Sequence, residues 1–184
     1  VNPIAGTGFA LKTMKNLENQ LRQRGIEYKI FLTERPGHAT QIATELSGQE
    51  QVYAVVAVGG DGTASEVAAG LSETGKPMGI IPAGTGNDFI KTTGIPNDPL
   101  KAFEILLSRK PVDTDTGTIN DQFFLNVCGT GFDVTVLDFA ESLKDKHRGL
   151  TPYLIGLLKA IHYYQSIQLK VTADGKTEEG RYLV

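Results

Sequence analysis

The first part of the chain alternates between two hydrophobic patterns, one typical of buried strands and the other of amphipathic helices. Residues 55–58 are a run of small apolar residues with a β-branched bias, which predicts a strand buried on both faces. Similar runs, or simple alternation, predict strands at 27–33 and 78–82. Apolar residues three and four positions apart predict helices at 9–24, 39–46, 64–71 and 99–108. This alternation favours an α/β fold with a parallel sheet and helices on both faces.

The pattern changes after residue 111. Residues 112–119 and 122–128 read as strands on either side of a turn, and 151–164 has the spacing of an amphipathic helix. Asp174-Gly175 lies between two alternating segments, which is a strong hairpin signal. Because hairpins replace strand–helix units, we expect two domains, an α/β domain at 1–112 and a partial β-rich domain at 113–184.

Both ends of the chain lie inside expected elements. The chain opens at Val1-Asn2-Pro3 without a methionine and without a strand ahead of a glycine-rich turn, while 181–184 reads as the middle of a strand. We therefore expect a piece of a longer protein, in which the first strand of the α/β domain is missing and the β-rich domain is truncated.

The segment 59–63, Gly-Gly-Asp-Gly-Thr, is the clearest chemical signal in the chain. It follows one predicted strand and precedes a predicted helix, where unpaired backbone N–H groups can bind phosphate. Glycines let the backbone approach a ligand closely, and Asp61 is placed to hold Mg²⁺ or to accept a hydroxyl proton during phosphoryl transfer. The alternative is a tight turn in which Asp61 caps the next helix.

Other turns at the same predicted sheet edge carry similar residues. Residues 2–8 read as a second phosphate loop or as an ordinary turn, and Leu11 excludes a Walker motif because that loop needs glycine there. In the turn at 84–88, Thr85 is a candidate for phosphate and Asn87 for a base or ribose. Asp88 is either part of a metal shell or a helix cap.

Two residues before the second predicted helix have competing interpretations. Thr33 either contacts a nucleotide or simply ends its strand, and His38 is more simply a cap or packed ring than a base. With three histidines, one cysteine and no paired ligand motif, the sequence predicts no zinc site.

Composition narrows the class of protein. The 184 residues carry a net charge of −3, which argues against a nucleic-acid partner and against a basic membrane-binding face. Neither a membrane-spanning run nor a signal peptide is evident, so we expect a cytoplasmic protein. Cys128 lies in an apolar run and is expected to be buried, and residues 129–133 are expected to form a bend. The apolar stripe along 153–164 predicts core packing, with a lipid-facing surface as the alternative.

Taken together, these motifs resemble the catalytic domain of diacylglycerol kinases, and especially the bacterial soluble lipid kinases of that family, which are related to sphingosine and NAD kinases. The matching motifs are 2–6, Thr33 with 37–39, 59–63 with Glu66, and 84–88. The resemblance implies a parallel-sheet nucleotide-binding domain followed by a β-sandwich, of which this chain holds the beginning, with ATP and acceptor meeting between the two. It also implies Mg²⁺ dependence, with Asp61 as the catalytic residue and metal ligand and Asp88 in support.

Residue by residue, the resemblance carries over a set of ATP contacts. These are Asn2, Pro3, Ile4, Ala5, Gly6, Thr33, Gly59, Gly60, Asp61, Gly62, Thr63, Ala64, Ser65 and Thr85. In similar enzymes a further acidic residue, the presumed general base, and a structural Mg²⁺ site lie later in the chain. We therefore expect those groups beyond residue 184, so that this fragment binds ATP but turns over poorly.

The sequence thus predicts an ATP- and Mg²⁺-dependent kinase that phosphorylates a lipid hydroxyl, most simply of a diacylglycerol-like acceptor. Two alternatives stay open: an NAD-kinase-like enzyme with a soluble acceptor, and a nucleotide-binding regulatory module without catalysis. The expected partners are nucleotide, lipid and a transiently contacted membrane surface, with no nucleic acid. The carboxyl-terminal strands make a homodimer through strand edges conceivable.

Overall fold

The structure is a computed structural model that describes residues 1–108, 110–143 and 151–182. The chain divides into two compact units, Val1–Val127 and Cys128–Val184. In the first unit the helices are α1 (Phe9–Gln23), α2 (His38–Ser47), α3 (Asp61–Leu71), α4 (Phe89–Thr93) and α5 (Pro99–Ser108). Its strands are β1 (Val55–Gly59), β2 (Met78–Pro82), β3 (Gly117–Ile119) and β4 (Gln122–Phe124). The helices predicted from apolar spacing are therefore confirmed, and the class is mixed α/β.

β1 and β2 form the predicted parallel pair, in a register that runs from Val55 opposite Met78 to Gly59 opposite Pro82. The backbone of residues 1–2 continues this sheet, because Asn2 N–H donates to Val58 O at 3.0 Å and Thr33 N–H donates to Val1 O at 3.0 Å. Residues 1–2 thus lie between β1 and the extended backbone around residue 33. The carboxyl ends of residues 1–2, β1 and β2 therefore meet at one edge of the sheet.

The strand predicted at 27–33 is wrong as a regular element. Within the described residues, the backbone bonds that join this segment to the sheet involve Val1 alone, through Phe31 O and Thr33 N. Two bonds make too short a ladder for a strand, and Ile30, Phe31 and Leu32 are all exposed rather than alternating in burial. Apolar alternation in the sequence cannot supply the partner backbone that a strand requires.

Helices cover both faces of the sheet. On one face α1 and α5 enclose a core of Met14, Leu17, Phe103 and the strand residues Val58 and Ile81. On the other face α2 and α3 pack over a cluster of Ala39, Ala43, Val55, Ala57, Val67 and Leu71. Alternate β1 residues face opposite clusters, as expected for a strand covered on both sides, although Val56 is 42% exposed.

Helices α2 and α3 approach each other closely at Gly70. A Cβ at Gly70 would lie 2.5 Å from Thr40 O and 2.7 Å from Ala43 Cβ, so a larger residue does not fit without movement. Thr40 Oγ1 donates to Glu66 O at 3.0 Å, which adds a polar link between the same two helices. Helices α2 and α3 are therefore held together by close approach of their backbones.

The β3–β4 hairpin belongs to the first unit. The strands pair antiparallel from Gly117 opposite Phe124, and Leu125 packs on a cluster that includes Ala64 and Phe89. The unit consequently ends at Val127, later in the chain than the boundary expected at 112/113. Both strands are shorter than predicted, since residues 111–116 and 125–128 are not in strands.

The second unit contains α6 (Phe132–Glu141), α7 (Thr151–Tyr163), β5 (Ile167–Ala173) and β6 (Lys176–Tyr182). The predicted α7 and the hairpin are confirmed, with Asp174 and Gly175 at positive φ in its turn. The bend expected at 129–133 is wrong beyond Gly131, because α6 begins at Phe132. α6 and α7 pack through small residues, since a Cβ at Gly156 would lie 2.6 Å from Val136 O.

Two burial predictions in this unit are wrong. The apolar stripe of α7 was expected to pack in a core, yet Leu154, Leu158 and Ile161 are 60–63% exposed. Cys128, expected to be buried in its apolar run, is also exposed, because β4 ends at Phe124 and the alternation does not continue to residue 128. None of the helices in the described parts of the chain has the length and apolar character needed to cross a membrane.

Two glycines of α3 provide a matched test of the helix packing. We expect Gly70→Ala to lower the free energy of unfolding by about 1–3 kcal/mol, because its methyl group collides with α2. In contrast, a Cβ at Gly62 meets no atom within 4 Å, so Gly62→Ala should leave stability unchanged or raise it by up to about 1 kcal/mol. Urea denaturation of both variants measures the difference; equal effects would contradict the packing described here.

Candidate active site

Four loops follow the parallel segments of the sheet, and we refer to them as loop A (residues 2–8), loop B (33–38), loop C (59–63) and loop D (83–88). Loop A follows the backbone of residues 1–2, loop C follows β1, and loop D follows β2. Ligands of open α/β sheets bind outside the carboxyl ends of the strands, which is where these loops lie.

Loops A, C and D are in direct contact. A Cβ at Gly6 of loop A would lie 2.5 Å from Ala83 O of loop D, and a Cβ at Gly84 would collide with the Cα of Gly60 in loop C. Asn2 Nδ2 also donates to Thr63 Oγ1 at 3.3 Å, which joins loop A to loop C. Glycine is therefore required where the loops meet, because side chains at these positions would separate them.

The start of α3 presents unpaired donors at this junction. The first intrahelical bond of α3 runs from Ala64 N–H to Gly60 O at 3.0 Å, so the amides of residues 61–63 have no acceptor within the helix. Ala64 N–H is thus already paired, and the open donors at this helix end belong to residues 61–63. This helix end suits an anion such as phosphate.

Asp61 connects loop C to the helix after loop D. Its Oδ1 accepts a hydrogen bond from Phe89 N–H at 3.0 Å, so Asp61 caps α4 rather than its own helix. The alternative in which Asp61 caps α3 is not observed, since the cap position of α3 is Gly60. The second oxygen, Oδ2, lies 3.2 Å from the position that a Cβ on Gly86 would occupy. One oxygen thus fixes the carboxylate and leaves the other directed at loop D.

Asp88 faces Asp61 across Gly86. Its Oδ2 lies 3.1 Å from the same Cβ position on Gly86, and its Oδ1 forms an ion pair with Lys91. Asp88 stands at the N-cap position of α4, but its side chain makes no capping bond, so the predicted side-chain cap is not observed. The pKa of Lys91 is raised above its ordinary value, chiefly by the hydrogen bond with Asp88 and further by the negative charges of Asp88 and Asp61.

The side-chain amide of Asn87 forms hydrogen bonds within loop D and to Asn97. Its Oδ1 accepts from Gly84 N–H at 3.0 Å, and its Nδ2 donates to Gly84 O at 3.1 Å and to Asn97 Oδ1 at 2.9 Å. The residue is buried and has a positive φ of 50°. Asn87 therefore holds the shape of loop D, and the base or ribose contact predicted for it does not fit this geometry.

Loop B is tied to α3 by Glu66. Gly37 N–H donates to Glu66 Oε1 at 2.9 Å and Ala39 N–H donates to Glu66 Oε2 at 3.1 Å, so this carboxylate caps α2 from a neighbouring helix. His38 Nδ1 accepts from Glu34 N–H at 3.1 Å, so this ring nitrogen stabilises loop B, which agrees with a structural role for His38 rather than with catalysis. Because a carboxylate already occupies these amides of α2, loop B offers no phosphate site there.

The remaining predicted residues lie around the same edge. Asn2 Oδ1 accepts from Ile4 N–H at 3.3 Å, and Ile4 is 81% exposed. Ala5 and Gly6 begin a short 3₁₀ turn, Thr85 is exposed in loop D, and Ser65 and Thr33 are partly buried. The cap that Glu66 makes on α2 was not predicted, and neither was Lys91; local spacing gives no signal for the first, because Glu66 bonds amides 27 and 29 residues earlier in the chain.

The carboxylates of Asp61 and Asp88 are the candidate metal ligands of this site. In the parts of the chain that the structure describes, no group of three or more His, Cys, Asp or Glu side chains could hold a metal ion. Asp61 and Asp88 offer a pair of carboxylates, which fits Mg²⁺ shared with substrate phosphates and does not fit a metal held by protein alone. A separate depression of about 410 Å³ beside Lys76 contains none of the predicted residues.

Comparison with known proteins identifies the family of the chain. A family model described as diacylglycerol kinase catalytic domain matches residues 1–119, so the chain belongs to the diacylglycerol kinase catalytic domain family. A Chromohalobacter salexigens protein named "Probable lipid kinase YegS-like" is 31% identical over 87% of this chain and 53% of its own length. A Staphylococcus carnosus protein named "Diacylglycerol kinase" is 28% identical over 100% of this chain and 60% of its own length.

The fold has solved counterparts as well. A crystal structure of a diacylglycerol kinase from Bacillus anthracis matches with a TM-score of 0.74 and 29% identity, over 99% of this chain and 60% of that one. The chain thus spans 53–60% of the length of the relatives it matches. The mixed α/β nucleotide-binding architecture is shared with this family.

The contact between loops C and D can be tested with another pair of glycines. We expect Gly84→Ala to push loop D away from Gly60, lowering the free energy of unfolding by about 1–3 kcal/mol and shifting the amide resonances of residues 59–63 and 83–89. Gly48→Ala is the control, because Gly48 has an ordinary φ of −81° and a Cβ there meets no atom within 4 Å. Amide spectra of Gly84→Ala that match those of the control would show that the loops do not touch.

Proposed function

We propose that the chain is the nucleotide-binding part of an ATP- and Mg²⁺-dependent lipid kinase, which transfers the γ-phosphoryl group of ATP to the hydroxyl of a diacylglycerol-like acceptor. The observation that carries this proposal is the contact of loops A, C and D at one sheet edge, beside the carboxylates of Asp61 and Asp88. Family membership and the names of the relatives support the same reaction class.

Phosphate binding follows from the backbone. Donors at the start of α3 and in the glycine loops would stabilise the charge of the triphosphate and the charge that develops during transfer. The proposed ATP contacts are the positions that the family resemblance supplied, Asn2 to Gly6, Thr33, Gly59 to Ser65, and Thr85. Most of these positions lie in or next to loops A, C and D, which are in contact; Thr33, in loop B, is the exception.

Asp61 would act on the acceptor or on the metal. The bond from Phe89 N–H fixes its Oδ1, so Oδ2 is held toward the junction where a phosphate and a hydroxyl would meet. There it can accept the hydroxyl proton or, together with Asp88, hold Mg²⁺. When bound, Mg²⁺ supplies positive charge that stabilises phosphate oxygens.

The acceptor determines the setting of the reaction. A diacylglycerol-like substrate resides in a bilayer, so a kinase acting on it would contact a membrane surface transiently while working from the cytoplasm. β5 and β6 pair with each other, and we propose that the outer edge of this hairpin can pair with a second copy of the protein to form a homodimer.

Asp61→Asn tests the proposed role most simply. The amide oxygen of asparagine can still accept from Phe89 N–H, so we expect the fold and ATP binding to be retained. In the full-length protein, loss of the negative charge should lower acceptor-dependent phosphoryl transfer by about 10²–10⁴-fold. The measurement is incorporation of radiolabel from γ-labelled ATP into diacylglycerol in mixed micelles, with thermal unfolding as the check on folding.

Asp113→Asn is the matched control, since Asp113 is exposed and lies outside the four loops. Unchanged turnover in Asp61→Asn would refute the role of Asp61. Phosphorylation of NAD but of no lipid would instead favour a soluble-acceptor kinase, and tight ATP binding without turnover of any acceptor would favour a regulatory module.

A further inference from the structure

A basic residue outside all the sequence motifs lies next to the two carboxylates. Lys91 is in α4, three residues after Asp88, and its ammonium pairs with Asp88 Oδ1. The remaining oxygen of Asp88 and Oδ2 of Asp61 lie 3.1 and 3.2 Å from one position, that of a Cβ on Gly86. Two carboxylates from different loops therefore meet beside a residue without a side chain, and the ammonium of Lys91 is paired with one of them.

The two carboxylates and a bound triphosphate would carry more negative charge than the proposed Mg²⁺ neutralises, so the junction favours a further cation. Loops A, C and D contain no lysine or arginine, while Asp61 and Asp88 contribute two negative charges. Arg35 of loop B donates to Gln41 Oε1 on α2, so its guanidinium is engaged away from the carboxylates. A triphosphate placed beside two carboxylates would be repelled, and Lys91 is the basic side chain that the structure attaches to them.

The ammonium of Lys91 can serve a second partner without leaving the first. A lysine ammonium has three donors, and Asp88 Oδ1 accepts from one of them. The side chain is 68% exposed, and its flexible stem allows it to reach an added anion. The competing explanation is an ordinary pair three residues apart that only supports α4, which contributes little to stability at an exposed position.

We propose that Lys91 is a phosphate-binding residue of this site, which favours nucleoside triphosphates over monophosphates by contacting the distal phosphates while Asp88 positions it. The inference rests on the proposed kinase function, and it adds a residue that carries positive charge to a site otherwise built from backbone amides and carboxylates. Asp88 would then act through Lys91 as well as toward a metal.

Nucleotide binding by the 184-residue chain tests this directly. We expect Lys91→Gln to weaken ATP binding about tenfold, as for the loss of one charge-assisted hydrogen bond, and to change AMP binding by less than about twofold. Lys91→Arg should bind ATP within about threefold of the wild type, because it keeps the charge. Calorimetric titration with ATP, ADP and AMP gives these ratios, and the step between ATP and ADP shows which phosphate is contacted.

Lys101→Gln is the control, an exposed lysine on α5 outside the four loops, and it should bind all three nucleotides as the wild type does. If Lys91→Gln keeps wild-type ATP affinity, or loses ATP and AMP affinity equally, the inference is overturned while the kinase proposal stands. If the wild-type chain binds no nucleotide, both are overturned. Circular dichroism of each variant separates these outcomes from misfolding.

Discussion

The site depends on one steric constraint, the approach of the loop after β1 to the loop after β2. A Cβ at Gly60 would lie 3.1 Å from the Cα of Gly84, which is closer than side chains normally permit. Because neither residue has a side chain, backbone can meet backbone, and the donors at the start of α3 reach the surface where the loops join. A bulkier residue at either position would separate the loops and cover those donors.

Side-chain hydrogen bonds then hold the strand–helix segments together. Asp61 and Glu66 accept from backbone amides at the starts of α4 and α2, and Asn2 donates to the side chain of Thr63, so each bond joins one segment to another rather than stabilising its own helix. The two carboxylate bonds are partly buried, and breaking them would leave their partner amides unpaired. The same residues therefore maintain the fold and set the positions of the groups that would act in phosphoryl transfer.

Much of this could be predicted from the sequence, for identifiable reasons. Apolar spacing found the helices and the parallel pair, and glycines at strand ends found the loops, because these signals are local. The failures concern tertiary contacts, which the local pattern does not specify. Residues 27–33 pair with Val1 alone, the α7 stripe is exposed, and Asp61 caps α4 rather than its own helix. Asn87 likewise could not be assigned, since its bond to Asn97 depends on how loop D folds.

The most direct test of the central claim is a crystal structure of the chain with a non-hydrolysable ATP analogue. The geometry predicts phosphate oxygens within hydrogen-bond distance of backbone amides at the start of α3 and in the loop around Gly84, with Asp61 Oδ2 facing the terminal phosphate. A triphosphate bound elsewhere, such as the depression beside Lys76, or an analogue that leaves these amides uncontacted, would contradict it.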